Sequence, residues 1–141
     1  MPYYRGMVPF NWVKERSLCS LECVFQIFGE VVDSDVKSSN ALNREGVKFE
    51  IKTPAHNKLM VIRSHAVGHS AEMAGITFEL LGDRISVHKR KSGSTEEIPF
   101  FSFAPSLNLD GECLVRVDGE SEMLKLWQVS MKALEDLFFA F

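Results

Sequence analysis

Two hydrophobic periods divide the chain into a helical first third and a remainder rich in strands. From Trp12 to about Leu42, apolar residues recur three and four positions apart, which places them on one face of a helix. Asn11 can cap this helix because its side chain can accept from a free amide of the first turn. Gly29 interrupts the pattern and indicates either a close approach by another element or a break into two helices. Residues 1–10 predict an extended lead-in.

Beyond Gly46, apolar residues alternate with polar ones, a spacing typical of half-buried strands. Turn signals rich in Gly, Asp, Pro and Ser separate these segments, and such short connections predict antiparallel neighbours. Pro99 cannot donate to a strand ladder, so it predicts an edge or a bulge. The seven predicted strands cover residues 47–52, 59–63, 76–80, 85–88, 95–103, 113–117 and 123–129.

The last segment returns to a helical spacing. Ser130 can cap a final helix that carries Met131, Leu134 and Phe138 on one face. Together these elements predict a single α+β domain over residues 1–141. We expect a long N-terminal helix packed on a curved antiparallel sheet, mostly a meander of six or seven strands, followed by a short C-terminal helix.

Composition and charge narrow the class of protein. The 141 residues are 45% hydrophobic and 25% charged, as in an ordinary globular domain. A net charge of −3 disfavours a dedicated nucleic-acid binder, which usually has a strongly basic face. The main basic run, residues 88–91, is predicted to pair with Glu96 and Glu97 across a hairpin. It offers only weak support for contact with phosphates.

The three cysteines do not suggest a disulfide framework, because their number is odd and their spacing irregular. The chain shows neither a signal-like segment nor an apolar run of membrane-spanning length. We therefore expect a cytoplasmic protein with free thiols and no membrane partner. Cys19 and Cys23 share a helix face and could form a metal pair, yet no second pair follows. Their apolar neighbours favour two buried cysteines that act as small hydrophobic residues, with no metal or cofactor.

The best catalytic candidates, although weak, are His65, His69 and Glu72. On a helix these three side chains would share a face, as metal ligands or acid–base groups require. The segment from Ser64 to Gly75 can equally form an exposed loop. The chain contains neither a phosphate-binding glycine loop nor a nucleophile elbow. No motif specifies a reaction, and the sequence favours a protein that is not an enzyme.

The strongest apolar signal lies near the C-terminus, at Trp127, Phe138, Phe139 and Phe141. These side chains are predicted either to be covered within the monomer or to form a contact surface. The first functional hypothesis is therefore a small soluble binding protein that presents an apolar groove or a homodimer surface to a partner. The alternative is a small-molecule binder or enzyme with a Phe-lined pocket between helix and sheet, where Ser64–Glu72 supplies polar groups.

Overall fold

The fold is α+β, with three helices and seven strands in the part of the chain that the structure describes. The structure is a computed structural model, and it describes residues 9–42, 44, 46–65 and 73–139, with only the backbone of His65. The helices are α1 (Trp12–Leu18), α2 (Leu21–Ala41) and α3 (Leu126–Phe139). The strands are β1 (Val47–Ala55), β2 (Lys58–His65), β3 (Gly75–Leu81), β4 (Arg84–Arg90), β5 (Ile98–Leu107), β6 (Cys113–Val117) and β7 (Met123–Leu124).

The seven strands form one antiparallel meander in which spatial order equals chain order. Each strand pairs with the next one along the chain, as expected from the short connections. The predicted fold class is confirmed. None of the helices in the described ranges has the length and apolar content needed to cross a bilayer.

The first helical segment is two helices rather than one. The break falls at Cys19 and Ser20, where the Ser20 hydroxyl accepts from the backbone amide of Cys23 at 3.3 Å and so caps α2. Gly29 lies inside α2, and no atom approaches within 4 Å of the position that a Cβ would take. Both explanations offered for Gly29 are therefore wrong. The serine cap defines the break because it supplies a partner for a free amide of the new first turn.

The core forms where α2 lies on one face of the sheet. Phe28 is fully buried, and its ring meets Phe78 of β3 at 5.0 Å and Phe103 of β5 at 5.3 Å, both edge-on. These rings fill the centre of the layer between helix and sheet. The other buried apolar residues of α2 repeat at the helical period and are Val24, Val32 and Val36.

The predicted last strand, residues 123–129, is wrong beyond its first residues. Strand β7 contains only Met123–Leu124, and helix α3 begins at Leu126. Ser130 is consequently not a cap. It is buried within α3 and donates to Oδ2 of Asp35 at 2.6 Å. A strand would have left either Trp127 or the neighbouring leucines facing water, whereas a helix buries one stripe against the core.

The predicted irregularity beside Pro99 is confirmed. The register of the β4–β5 pair shifts between Val87 and His88, so that Phe100 has no directly paired residue next to Pro99. A bulge places the unpaired position beside a residue that lacks an amide hydrogen, and the rest of the ladder is preserved.

A disulfide joins Cys19 to Cys113, 94 residues further along the chain. It links the junction between α1 and α2 to the first residue of β6. The expectation of free thiols is wrong for these two residues, and only Cys23 remains a free cysteine. A metal pair of Cys19 and Cys23 is also excluded in this state, because the Cys19 sulfur is bonded. The spacing of the cysteines did not reveal this disulfide, because residues far apart in the chain can be neighbours in the folded protein.

Helix α1 depends on this bond more than on packing, since none of its residues is buried. Its predicted cap is confirmed: the Asn11 side chain accepts from the amide of Lys14 at 3.1 Å. Before the helix, the Phe10 ring lies so close to Gly111 that a Cβ there would stand 2.4 Å from it. The segment is thus held against the β5–β6 hairpin at both ends, by the Phe10 ring and by Cys19.

Replacing Cys113 by serine is expected to lower the free energy of unfolding by about 4 kcal/mol, because the unfolded chain loses a very long closed loop. Urea denaturation without reductant measures this change. The matched control, Cys23→Ser, removes a free thiol and should change stability by less than about 1 kcal/mol. Thiol titration of the denatured, unreduced protein should find only Cys23. Three titratable thiols would contradict the disulfide.

Candidate functional site

Helices α2 and α3 lie side by side and run in the same direction, and a groove opens between them. Asp35 of α2 meets Ser130 of α3, and the end of α2 lies near the end of α3. The groove has a volume of about 410 Å³. We call it the α2–α3 groove; it is lined by Asp35, Ser38, Ser39, Leu42, Trp127, Ser130, Met131, Leu134, Glu135, Phe138 and Phe139.

Large apolar side chains at this groove remain open to water. The exposed fractions are 57% for Leu42, 56% for Trp127, 50% for Met131 and 61% for Phe139. Single exposed apolar residues are common on soluble proteins, whereas several gathered in one concave site are typical of contact surfaces. The groove is therefore the strongest candidate binding site in the described chain.

The structure brings three of the predicted interaction residues to this groove. Trp127 and Phe139 line it with exposed rings, and Phe138 lies deeper, 4.8 Å from the Phe49 ring. Phe141 lies outside the described residues. Their role in binding stays a prediction. The sequence analysis placed Met131 on one helix face with Leu134 and Phe138. Its side chain is half exposed in the groove, whereas Leu134 and Phe138 are buried.

The sequence analysis missed Leu42 as a groove residue. It missed the groove because it started the final helix after Ser130 and not at Leu126. Trp127, Met131 and Glu135 stand four residues apart and form one stripe only if the helix begins at Leu126. A helix placed after Ser130 leaves Trp127 out of this stripe. It also gives no reason to look for a partner residue at the end of α2.

The groove carries negative charge without a compensating cation on its two helices. Asp35 and Glu135 both line it, and in the described ranges neither takes part in an ion pair. Lys37 and Lys132, on the same helices, pair with other carboxylates at 2.8 Å and 3.6 Å. An occupant with a cationic group would therefore find two carboxylates beside an apolar surface.

Arg44 closes the end of the groove near Phe139. Its guanidinium lies 4.9 Å from the centroid of the Phe139 ring and 5.9 Å from that of Phe49. It also donates to the hydroxyl of Ser39 at 2.8 Å. The arginine thus serves to hold the end of α3 against the end of α2.

Two further contacts fix the helices that form the groove. The side-chain amide of Asn40 both donates to the carbonyl of Phe49 and accepts from its amide, each at 2.9 Å. The buried Arg63 donates to the carbonyl of Leu137 at 3.4 Å, near the C-terminal end of α3. Burial lowers the pKa of Arg63, but arginine stays charged at neutral pH. Its positive charge therefore interacts favourably with the negative end of the α3 dipole.

The proposed histidine cluster is not placed by the structure. The backbone of His65 forms the end of β2, so at this residue the segment is strand rather than helix. Its side chain, together with His69 and Glu72, lies outside the described residues. The catalytic and metal hypotheses for these three residues remain untested predictions.

The basic run at 88–91 does not pair with the glutamates as predicted. Lys89 lies over the Phe100 ring at 4.4 Å, and Arg90 donates to the carbonyl of Met73 at 2.9 Å. Glu97 instead accepts from the Thr77 hydroxyl at 2.7 Å. No ion pair joins the run to Glu96 or Glu97 within the ranges that the structure covers. Two of its four side chains are therefore already engaged within the fold.

Comparison of the chain with protein-family models, with curated proteins and with solved structures gave no match.

Substituting Ser130 by alanine is expected to lower the free energy of unfolding by about 1–2.5 kcal/mol. The lost hydrogen bond to a carboxylate contributes about 1.5–3 kcal/mol, and the better helix propensity of alanine offsets about 0.5 kcal/mol of it. Urea denaturation measures the difference. Ser38→Ala, an exposed change on α2, should be neutral or slightly stabilising. Equal stability of the two variants would show that the Asp35–Ser130 bond contributes little.

Proposed function

We propose that the protein is a non-enzymatic binding protein whose α2–α3 groove receives an amphipathic helical segment of a partner protein. The observation that supports this most directly is an apolar groove flanked by two carboxylates, Asp35 and Glu135, without ion-pair partners in the described chain. The segment that fits would present apolar side chains to Trp127 and Met131 and a lysine or arginine to the carboxylates.

The shape and composition of the groove support a helix as occupant. Two parallel helices leave between them an elongated channel, and an apolar helical face laid in such a channel is a common mode of recognition. Exposed Trp127 and Phe139 supply large rings, the side-chain type that contributes most energy at interfaces. The contacts of Asn40 and Arg63 keep both walls in place, which limits the entropy lost on binding.

Charge favours a distinct partner over a second copy of this chain. A second copy that offered the same groove would bring the same pair of carboxylates, Asp35 and Glu135. The cation at the end of this groove, Arg44, already contacts Phe139 and Ser39. Like charges brought together at an interface disfavour association, so a homodimer through this face is the less favoured arrangement.

The small-molecule alternative finds less support at the place first expected for it. The rings of Phe28, Phe78 and Phe103 pack edge-on at the centre of the helix–sheet layer. They act there as core rather than as the wall of a pocket. An opening exists instead at the rim of the layer, between α2 and the β1–β2 hairpin.

The disulfide bears on where such a protein would act. Disulfides persist mainly in oxidising compartments, so the Cys19–Cys113 bond supports an oxidising setting over the cytoplasmic one expected from the sequence. The mass of the protein isolated under alkylating conditions gives the number of alkylated cysteines and would distinguish the two. A protein with three alkylated cysteines would support the cytoplasmic expectation.

The groove proposal can be tested by following the fluorescence of Trp127. In a Trp12→Phe background, Trp127 is the remaining tryptophan. The probes are two synthetic amphipathic helices with the same leucine face, one with lysine and one with glutamate on the polar face. We expect a saturable blue shift with the lysine peptide and binding about tenfold weaker with the glutamate peptide.

Matched variants place the effect at the groove. Met131→Gln removes an apolar contact without adding charge, so it should weaken binding of the lysine peptide by about tenfold, an effect of about 1.4 kcal/mol. Leu109→Gln, an equivalent change at a fully exposed site on the β5–β6 hairpin, should leave it unchanged. Equal effects of the two substitutions would overturn the proposal. A dimer in light scattering that Met131→Gln abolishes would assign the groove to a second copy instead.

A further inference from the structure

A second opening lies at the rim of the core, between the first half of α2 and the end of the β1–β2 hairpin. We call it the hairpin cleft; its volume is about 360 Å³, within the range of small-molecule sites. Phe25 and Leu59 give it an apolar wall, and Gln26 lies at its side. His56 and Lys58 line it from the hairpin.

The end of the hairpin is shaped locally and held in position. The β1–β2 register shifts between Lys52 and Ala55, around Pro54, so the last part of β1 departs from the regular ladder. Asn57 then fixes the turn to β3. Its side-chain amide donates to the carbonyl of Leu80 at 3.2 Å, and its own carbonyl accepts from the Leu80 amide at 2.8 Å. The side of the cleft that carries His56 is therefore pre-formed.

Gly29 lines the same cleft and has no packing reason to be glycine. A Cβ at this position would meet no atom within 4 Å, and the residue lies inside a regular helix. Glycine in such a position costs about 1 kcal/mol relative to alanine. The missing side chain leaves the cleft open beside Phe25. Access to the cleft is therefore an effect of this glycine, whereas core packing gives no reason for it.

The hairpin side of the cleft carries the groups that can donate to an anion. Lys58 is half buried at the start of β2, and His56 is an exposed turn residue two positions before it. Opposite them on α2 stands one carboxylate, Glu22. No ion pair involves any of these three side chains in the described part of the chain. An anionic group near Lys58 and His56 would therefore gain partners that the fold does not already use.

We propose that the hairpin cleft binds a small organic anion with an apolar body. The carboxylate or sulfonate of such a ligand pairs with Lys58 and His56, and its apolar part lies on Phe25 in the space that Gly29 leaves open. This site is separate from the α2–α3 groove, and it does not depend on the function proposed for that groove.

The test uses 2-naphthoate as the probe and amide chemical shifts of the full chain as the readout. We expect saturable shifts at Gly29, His56 and Lys58. Lys58→Gln should weaken binding about tenfold, the size expected for a charge-assisted contact. Lys48→Gln, an exposed lysine of the same hairpin, is the matched control and should leave the affinity unchanged. A neutral naphthalene alcohol should bind about tenfold more weakly than the acid.

Filling the cleft gives a second, independent variant. Gly29→Leu adds a side chain where no atom lies within 4 Å, so the fold should be retained and the binding of 2-naphthoate lost. Circular dichroism checks the fold, and Gly29→Ala should keep both fold and binding. The proposal is overturned if millimolar 2-naphthoate shifts no cleft amide, if the shifts lie at the α2–α3 groove, or if Lys58→Gln binds as the natural chain does.

Discussion

The contact between the apolar stripe of α2 and one face of the sheet is the constraint on which the other features depend. Phe28 fixes the helix against β3 and β5 through two edge-on ring contacts. Once α2 occupies the middle of that face, α3 can cover the remaining apolar surface only by lying beside it. The groove between the helices is thus a result of core packing. Its floor is buried for stability, and its rim keeps the side chains that neither helix can cover.

The same arrangement explains why the two openings differ in chemistry. The α2–α3 groove lies between two helices, so its lining follows helical spacing and collects Trp127 and Met131 next to carboxylates. The hairpin cleft lies where a helix meets the end of a strand pair, so turn residues such as His56 enter its wall. One surface is large, apolar and acidic, and the other is smaller and carries more potential cations than anions.

Much of the fold follows from the sequence because local signals are strong in a meander. Alternating strands, turn glycines and the cap at Asn11 all act between neighbouring residues. The cap at Ser20 is also local, but it lay within a continuous apolar pattern and was not predicted. The start of α3 was missed because Leu124, Leu126 and Trp127 form a continuous apolar run, in which strand and helix have no distinct period. The Cys19–Cys113 bond and the placement of Leu42 and Trp127 in one groove depend on long-range contacts. No local pattern encodes either of them.

The order of the strands has a consequence for how the groove comes into being. Because the strands follow one another in chain order, β1 and β7 lie at opposite edges of the sheet, and α3 follows β7. Yet Phe138, near the end of α3, packs on Phe49 of β1. The chain must therefore cross the whole sheet after its final strand before the groove has two walls. Without α3 the groove has only one wall, so this surface forms only after the last helix has crossed the sheet and packed beside α2.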